Sequence, residues 1–460
     1  MASAALHCGL LLGAAAALRL RSRTAAAASP SSAAASAAVP VIDISPLLRR
    51  CRTSNSGGGG GGGDMADDAD NAAAALGACV AAIRDACRHV GFFYITGHGV
   101  DPALVRRLQA ESRRFFALPR SQKMRIAMAQ SGLHWKGYFP LGGELTGGRP
   151  DWKEGLYFGE ELPLGHPSVH VPAPPPPPPT ATAGATGAAA AAASQPPPFP
   201  ARRGLPMHGP NQFPCAATGF ADGSFDGFGA LVTAYMGAME QLGGAVMEGV
   251  ALSLGLPRSF FGENFASPPF TPFRIFHYPA DPAPRHGADV GARFAGAPRW
   301  GVAEHTDYGV LTILQQDSVG GLEVQARTGA WAAAPPVDGS FVVNIGDMLE
   351  IWTCGLYQAT PHRVRSDAGR DRLSIPFFFD PNFGATVTPL RDHTPVAAHL
   401  ARCAARGEAP SRLLVPERSA GGILYGDYIT GKVAHCFPEL FASSAEEAVA
   451  MEDKQKKGVY

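Results

Sequence analysis

The chain has 460 residues, and its 39 basic and 39 acidic side chains cancel to a formal net charge of zero. That balance lacks the basic excess of a dedicated nucleic-acid binder, and a hydrophobic content of 46% is too high for a wholly disordered chain. The 55 glycines and 41 prolines make up about a fifth of the chain, where about 12% is usual, so part of the sequence is filler between globular segments.

Residues 1–40 are Ala/Ser-rich, carry Arg19, Arg21 and Arg23, and contain no acidic residue. This composition predicts an organelle transit peptide over 1–38, for plastid or mitochondrion, with the cytoplasm as the alternative. The apolar run Gly9 to Leu18 has its arginines after it rather than before it, and is about half the length that spans a bilayer. No other candidate span occurs, so no membrane role is expected. Val39 to Leu48 reads as a short strand. Gly57 to Gly63 is an oligoglycine run followed by Asp64, Asp67, Asp68 and Asp70, and 53–70 is expected to be a solvated insertion. Leu76, Cys79, Val80, Ile83, Cys87 and Val90 recur at helical spacing, ended by Gly91. Phe92 to Thr96 reads as a strand, and Asp101-Pro102 as the N-cap and first position of another helix.

Six prolines from Pro174 to Pro179, an Ala/Thr/Gly run and Pro196 to Pro198 mark 171–203 as a second, disordered insertion. Proline runs can also dock in aromatic-lined grooves of partners. A long helix is expected from Phe228 to Leu254 within a helical segment, 204–271. From 272 to 390 the texture changes to short β-like runs, among them Arg274–Tyr278, Gly309–Gln315, Gly321–Gln325, Phe341–Ile345, Thr360–Val364 and Arg372–Phe379. The expected architecture is a helical N-terminal half (39–170 and 204–271), a compact β-domain, and a C-terminal helical extension over 391–460. The eight cysteines are scattered without a CxxC pair, which predicts reduced, buried thiols.

Among 14 histidines, His305 stands two residues before Asp307 in EHTDYG. On a strand these two side chains share a face. Two imidazoles and one carboxylate form the open-faced ligand set of non-haem Fe(II) oxygenases. His362, 55 residues after Asp307, supplies a second imidazole in ATPHRV. Ten residues later Arg372 and Ser374 again form an i, i+2 pair, suited to a carboxylate that takes a bidentate guanidinium and a hydroxyl.

HTDYGVLTILQQDSVGGLEV (305–324), VVNIGDMLEIWTCGLYQATPHRV (342–364) and RLSIPFFFDP (372–381) resemble the isopenicillin N synthase-like branch of the Fe(II)/2-oxoglutarate-dependent dioxygenases. VPVIDISPLL (39–48), CRHVGFFYITGHGV (87–100), DWKEGLYFG (151–159) and YGDYITGKVAHCFPEL (425–440) resemble the same branch. The resemblance implies a mainly β protein with packed helices around a double-stranded β-helix, or jelly roll. It implies that His305, Asp307 and His362 bind Fe(II). Arg372, Ser374 and Tyr278 would hold 2-oxoglutarate as co-substrate, with dioxygen the oxidant. Trp152, Tyr157, Phe377 and Phe379 are candidates for the substrate pocket. Two positions depart from the pattern: Phe276 where many plant members have asparagine, and Cys354 in WTCG where WTNG is commoner.

The implied activity is hydroxylation or desaturation of a small-molecule substrate by a monomer, with release of succinate and carbon dioxide. An oxidase of the same fold that does not use 2-oxoglutarate, and a non-catalytic binding relative, are the alternatives.

Overall fold

The chain enters the globular part through β1 (Val41–Asp43) and turns at once into α1 (Ser45–Arg49). The expected strand over Val39 to Leu48 is therefore cut in half. The Asp43 carboxylate accepts from the Ser45 backbone N–H at 2.9 Å, which favours a helical turn where the strand would have continued. In this computed structural model, residues 39–49, 65–169, 205–264, 267–280, 294, 300–366, 369–413 and 422–438 are described. They fall in one unit, Ala37–Tyr460. The expected transit peptide and the insertion over 171–203 lie outside the described residues.

Helix α2 (Met65–His89) starts earlier than expected. The tail of the predicted 53–70 insertion is helical, because a 3.6-residue period binds Cys79, Ile83 and Cys87 into one buried stripe and the helix extends N-terminally from it. Strand β2 (Phe92–Thr96) pairs parallel with β1. Asp101 caps α3 (Pro102–Phe116) by accepting from Ala103 N at 2.8 Å. A short α4 (Arg120–Lys123) leads to β3 (Gly137–Phe139), the small hairpin of β4 (Leu145–Thr146) and β5 (Arg149–Pro150), and β6 (Glu154–Phe158). Helix α5 (Phe228–Ser253) buries Leu231, Tyr235, Leu242, Val246 and Val250, and is followed by α6 (Phe260–Asn264).

Eight strands follow: β7 (Phe273–Tyr278), β8 (Trp300–His305), β9 (Leu311–Gln316), β10 (Leu322–Gln325), β11 (Trp331–Ala333), β12 (Phe341–Ile345), β13 (His362–Arg365) and β14 (Arg372–Phe379). Between β12 and β13 lies α7 (Asp347–Trp352). The chain then forms β15 (Thr386–Val387), α8 (Thr394–Arg406), β16 (Ile423–Leu424) and α9 (Tyr425–Cys436). The large sheet has the order β1-β2-β12-β9-β14-β7-β6-β3, and a four-stranded sheet the order β11-β10-β13-β8. Strands β1, β2, β3 and β6 come from the N-terminal half, so that half is not a separate helical layer. It completes the large sheet, because the edges of β12 and β7 carry backbone donors and acceptors that need partners.

Period-2 alternation gives the large sheet two working faces. The outer face of β14 meets α5, where Gly243 makes room for Phe379: a Cβ there would lie 2.4 Å from its ring. The inner face looks toward the small sheet. Cys354 follows α7 with a left-handed backbone (φ 50°). Asparagine visits that region several-fold more readily than most side chains, which accounts for the commoner WTNG and makes the cysteine here the more strained choice. Among the described residues no helix is long and apolar enough to cross a membrane, and the six described cysteines are free.

Behind β7 a buried ion network ties α4 to the large sheet. Lys123 Nζ lies 2.7 Å from Glu154 Oε2, which also accepts from Tyr138 Oη at 2.5 Å, while His277 Nδ1 is 2.8 Å from Glu154 Oε1. Burial pushes the Glu154 carboxyl up, but the His277 hydrogen bond and the Lys123 charge outweigh it and hold it at about 2. Its contribution to stability is complete above about pH 4.5 and is lost as the pH falls toward 2. Glu154→Leu should cost about 3–5 kcal/mol in urea unfolding at pH 7 by stranding a buried lysine. The double change Lys123→Met/Glu154→Leu should recover much of that; equal losses in the single and double variants would contradict the pairing.

Candidate metal centre

His305 closes β8 and His362 opens β13, and the two residues are direct cross-strand partners in the small sheet. Their ring centroids are 4.2 Å apart. Asp307 lies beside the strand rather than on it, in the turn two residues beyond its end, where its carbonyl accepts from Asp347 N at 2.8 Å. The turn still brings its carboxylate inward. Asp307 Oδ1 is 3.7 Å from His305 Nε2 and 3.6 Å from His362 Nε2, and the three groups offer ligand atoms all within 4.8 Å of one another. That spacing suits one divalent cation with bonds of about 2.1 Å.

Hydrogen bonds around the three side chains fix which atoms face inward. His305 Nδ1 is 2.8 Å from the Ala303 carbonyl and His362 Nδ1 is 3.0 Å from the Thr360 carbonyl. A carbonyl only accepts, so each Nδ1 carries the proton and each Nε2 presents a lone pair to the site. Asp307 Oδ2 is occupied by Thr312 Oγ1 at 2.5 Å and Asn344 Nδ2 at 2.6 Å, which leaves Oδ1 for a ligand bond. Burial, and then the neighbouring His362, push His305 down to about 3. Burial alone would raise Asp307, but the imidazoles and the donors from Asn344 and Thr312 hold it below its ordinary value. Two neutral nitrogens and one carboxylate oxygen with an open side are a donor set that fits Fe(II).

The three residues line a cavity between the two sheets. At one end Arg372 is 1% exposed, yet its three guanidinium nitrogens have no hydrogen-bond partner. Its Cζ lies 4.7 Å from the centre of the Tyr278 ring, its cross-strand partner on β7. Ser374 and Phe276 are the next inward pair along the same two strands. A buried cation with unmet donors is costly unless a ligand supplies acceptors, so this end is built for an anion.

Two family models match the chain. One, described as non-haem dioxygenase in morphine synthesis N-terminal, covers residues 39–178, and the other, the 2OG-Fe(II) oxygenase superfamily, covers 269–381. A probable iron/ascorbate oxidoreductase of Dictyostelium discoideum is 37% identical over 366 residues, which is 78% of this chain and 88% of the relative. The chain belongs to the 2OG-Fe(II) oxygenase superfamily. It is a 2-oxoglutarate-dependent dioxygenase whose cofactor and co-substrates are Fe(II), 2-oxoglutarate and dioxygen. A homoarginine-6-hydroxylase of Oryza sativa subsp. japonica is 33% identical over 360 residues, 77% of this chain and 88% of the relative. A 1-aminocyclopropane-1-carboxylate oxidase of Dictyostelium discoideum is 30% identical over 390 residues, 80% and 92% of the respective chains. Neurospora crassa T7H in complex with alpha-KG has the same fold, with a TM-score of 0.57 and 22% identity over 87% of this chain and 97% of that one.

In this oxygenase the four residues expected to line the substrate pocket do not reach the cavity. Trp152 packs with Leu141 and Phe294 and donates Nε1–H to the Pro279 carbonyl at 2.9 Å. Tyr157, the cross-strand partner of Arg274, stacks on that side chain beside the cavity and donates to Glu144 Oε1 at 2.6 Å. Phe377 and Phe379 fall on the outer face of β14, toward α5, whereas Phe378 lines the cavity. Strand parity sets these faces: once Arg372 and Ser374 point inward, 376, 378 and 380 must follow. The same parity applied to Tyr278 would have found Arg274, and only the fold reveals Thr312 and Asn344 behind Asp307, or Glu144 and Lys153 on the wall. Phe377→Ala should cost about 3–5 kcal/mol of stability by opening a core cavity. Phe378→Ala should leave the denaturation midpoint nearly unchanged and lower substrate kcat/KM roughly fivefold, from about 1 kcal/mol of lost contact; the reverse pattern would refute this assignment of faces.

Proposed function

We propose that this oxygenase hydroxylates a small-molecule substrate of the amino-acid class, with His305, Asp307 and His362 holding Fe(II) and Arg372, Ser374 and Tyr278 holding 2-oxoglutarate. The single observation that carries the co-substrate assignment is Arg372: a buried guanidinium without a protein partner, in the cavity that also contains the three ligand side chains. The distal carboxylate of 2-oxoglutarate matches its fork, and the Ser374 hydroxyl adds one donor. Supporting the amino-acid class are the relatives named as homoarginine-6-hydroxylases and 1-aminocyclopropane-1-carboxylate oxidases. We read the eight strands β7 to β14 as a double-stranded β-helix. In favour of this, they divide equally between two sheets, with β7-β14-β9-β12 contiguous in one and β8-β13-β10-β11 forming the other.

Bound iron supplies activation of dioxygen coupled to oxidative decarboxylation of the 2-oxo acid, with succinate and carbon dioxide as products. The protein's part is positional. The Ala303 and Thr360 carbonyls keep the two imidazoles in the tautomer that donates a lone pair, and Thr312 and Asn344 hold Asp307 in one rotamer. Ile429 and Cys436 of α9 add apolar lining to the cavity.

Full-length protein with Fe(II) should form succinate and hydroxylated product in equal amounts, the product 16 mass units heavier by the added oxygen atom. Arg372→Gln should raise the KM for 2-oxoglutarate about 10- to 100-fold, the value of a charge-assisted hydrogen bond, without reducing iron binding. His305→Ala should lose tight iron binding. Substrate turnover without succinate, or an unchanged KM in Arg372→Gln, would overturn the co-substrate assignment.

A further inference from the structure

The cavity contains a second under-satisfied arginine. Arg274 lies on β7 four residues before Tyr278 and on the same face, which puts the two positions about 13 Å apart along the strand. Since Tyr278 is the cross-strand partner of Arg372, the two arginines mark opposite ends of one chamber. A co-substrate whose far carboxylate is held at Arg372 would have its other end at the ligand triad, which leaves Arg274 to something else.

The surroundings of Arg274 fix what that is. Its guanidinium is clamped between two rings, with Cζ 4.3 Å from the centre of Tyr157 and 4.7 Å from that of Phe378. Two rings thus flank the guanidinium, and its donor edge is what remains to bind a ligand. Nε is buried without a hydrogen-bond partner. The nearest carboxylate, Glu144, is 3.8 Å from Nη1, beyond hydrogen-bond reach. Glu144 is also committed elsewhere: its Oε1 accepts from Tyr157 Oη at 2.6 Å, and its Oε2 is 3.0 Å from Lys153 Nζ. Lys153 in turn is 2.9 Å from Asp151. Asp380, also on the wall, accepts from Tyr425 Oη at 2.5 Å and from Val310 N at 3.2 Å.

The wall thus has a cationic edge without an acceptor beside acidic groups, and Glu144 Oε2, 3.0 Å from Lys153 Nζ, keeps a lone pair for a second donor. A doubly charged phosphate would face Glu144 and Asp380 and be repelled. A carboxylate with an ammonium on the neighbouring carbon satisfies both sides of the wall at no net charge.

We propose that Arg274 is the substrate-anchoring residue of this oxygenase, binding the carboxylate of an α-amino acid whose ammonium group faces Glu144. This rests on the reading of the Arg372 end as the 2-oxoglutarate site. The stacked, pre-oriented fork of Arg274 selects a planar carboxylate over a carboxamide or a bare amine, and fixes which carbon of the substrate reaches the metal centre.

The test uses full-length protein with Fe(II) and 2-oxoglutarate, and a panel of the proteinogenic L-amino acids, L-homoarginine and 1-aminocyclopropane-1-carboxylate. For each amino acid that stimulates succinate release, its carboxamide and its amine lacking the carboxylate are compared. The expected result is a 10- to 100-fold lower kcat/KM for both analogues. Arg274→Gln should lower kcat/KM for the acid by a similar factor, leave the carboxamide nearly unaffected, and keep the KM for 2-oxoglutarate at its wild-type value. Arg274→Lys, which keeps the charge but not the fork, should fall between them, and serves if the glutamine variant does not fold. Equal turnover of acid and carboxamide by the wild type, or no stimulation by any panel member, would overturn the proposal. A raised KM for 2-oxoglutarate in Arg274→Gln would place the co-substrate there instead. Loss of the proposed function reads differently: Arg372→Gln would then leave the KM for 2-oxoglutarate unchanged.

Discussion

Strand β14 sits in the middle of the large sheet, between β9 and β7, and its alternation sorts the protein into a chemical side and a structural side. Arg372, Ser374, Pro376 and Phe378 face the cavity, while Leu373, Ile375, Phe377 and Phe379 are buried on the other face. A one-residue slip would exchange the two sets, putting a guanidinium under α5 and phenyl rings at the anion site. Pairing on both edges prevents it: Ser374 is opposite Gln316 on one side and Phe276 on the other. The Arg372 end of the cavity, the Arg274 end and the contact with Gly243 of α5 all inherit their positions from this register.

The metal centre depends on a different device. Two histidines are placed as a cross-strand pair, and the third group comes from a turn. None of the three side chains is left to orient itself: each imidazole is tied through Nδ1 to a carbonyl two residues earlier, and Asp307 is tied through Oδ2 to β9 and β12. Such preorganisation keeps three ligand atoms together that would otherwise relax apart, since burying a carboxylate beside two imidazoles is favourable only when its other oxygen is fully hydrogen-bonded.

Charge in this protein is local and paired. The sheet carries a buried network on one side of β7, around Glu154, and another on the cavity side, around Glu144 and Lys153. Arg372 and Arg274 stand out against these networks because their donors are not used up by the fold. Both are held by aromatic faces rather than by carboxylates, Arg372 by Tyr278 and Arg274 by Tyr157 and Phe378. Aromatic clamps orient a guanidinium without consuming its hydrogen-bonding edge, which is what a ligand site requires.

The ligand triad, the Arg372/Ser374 pair and most of the strands were legible in the sequence, because they lie in short motifs with fixed spacing and strong β-character. The limits of that reading are physical. Asp307 could stand on or beside a strand, because spacing alone cannot tell a strand end from the turn after it. The helix at Met65 was hidden by the glycine run before it, and the pairing of β1, β2, β3 and β6 into the large sheet involves contacts too distant in sequence for periodicity to record. Which of Phe377 to Phe379 faces the cavity followed from parity once Arg372 was fixed, but that Trp152 and Tyr157 fall outside the cavity lining did not. The sequence by itself determined that two histidines, one aspartate and one arginine would meet in a β-rich scaffold. Only the tertiary structure decided which neighbours saturate which charges, because a side chain's unused hydrogen-bonding capacity depends on every element packed around it.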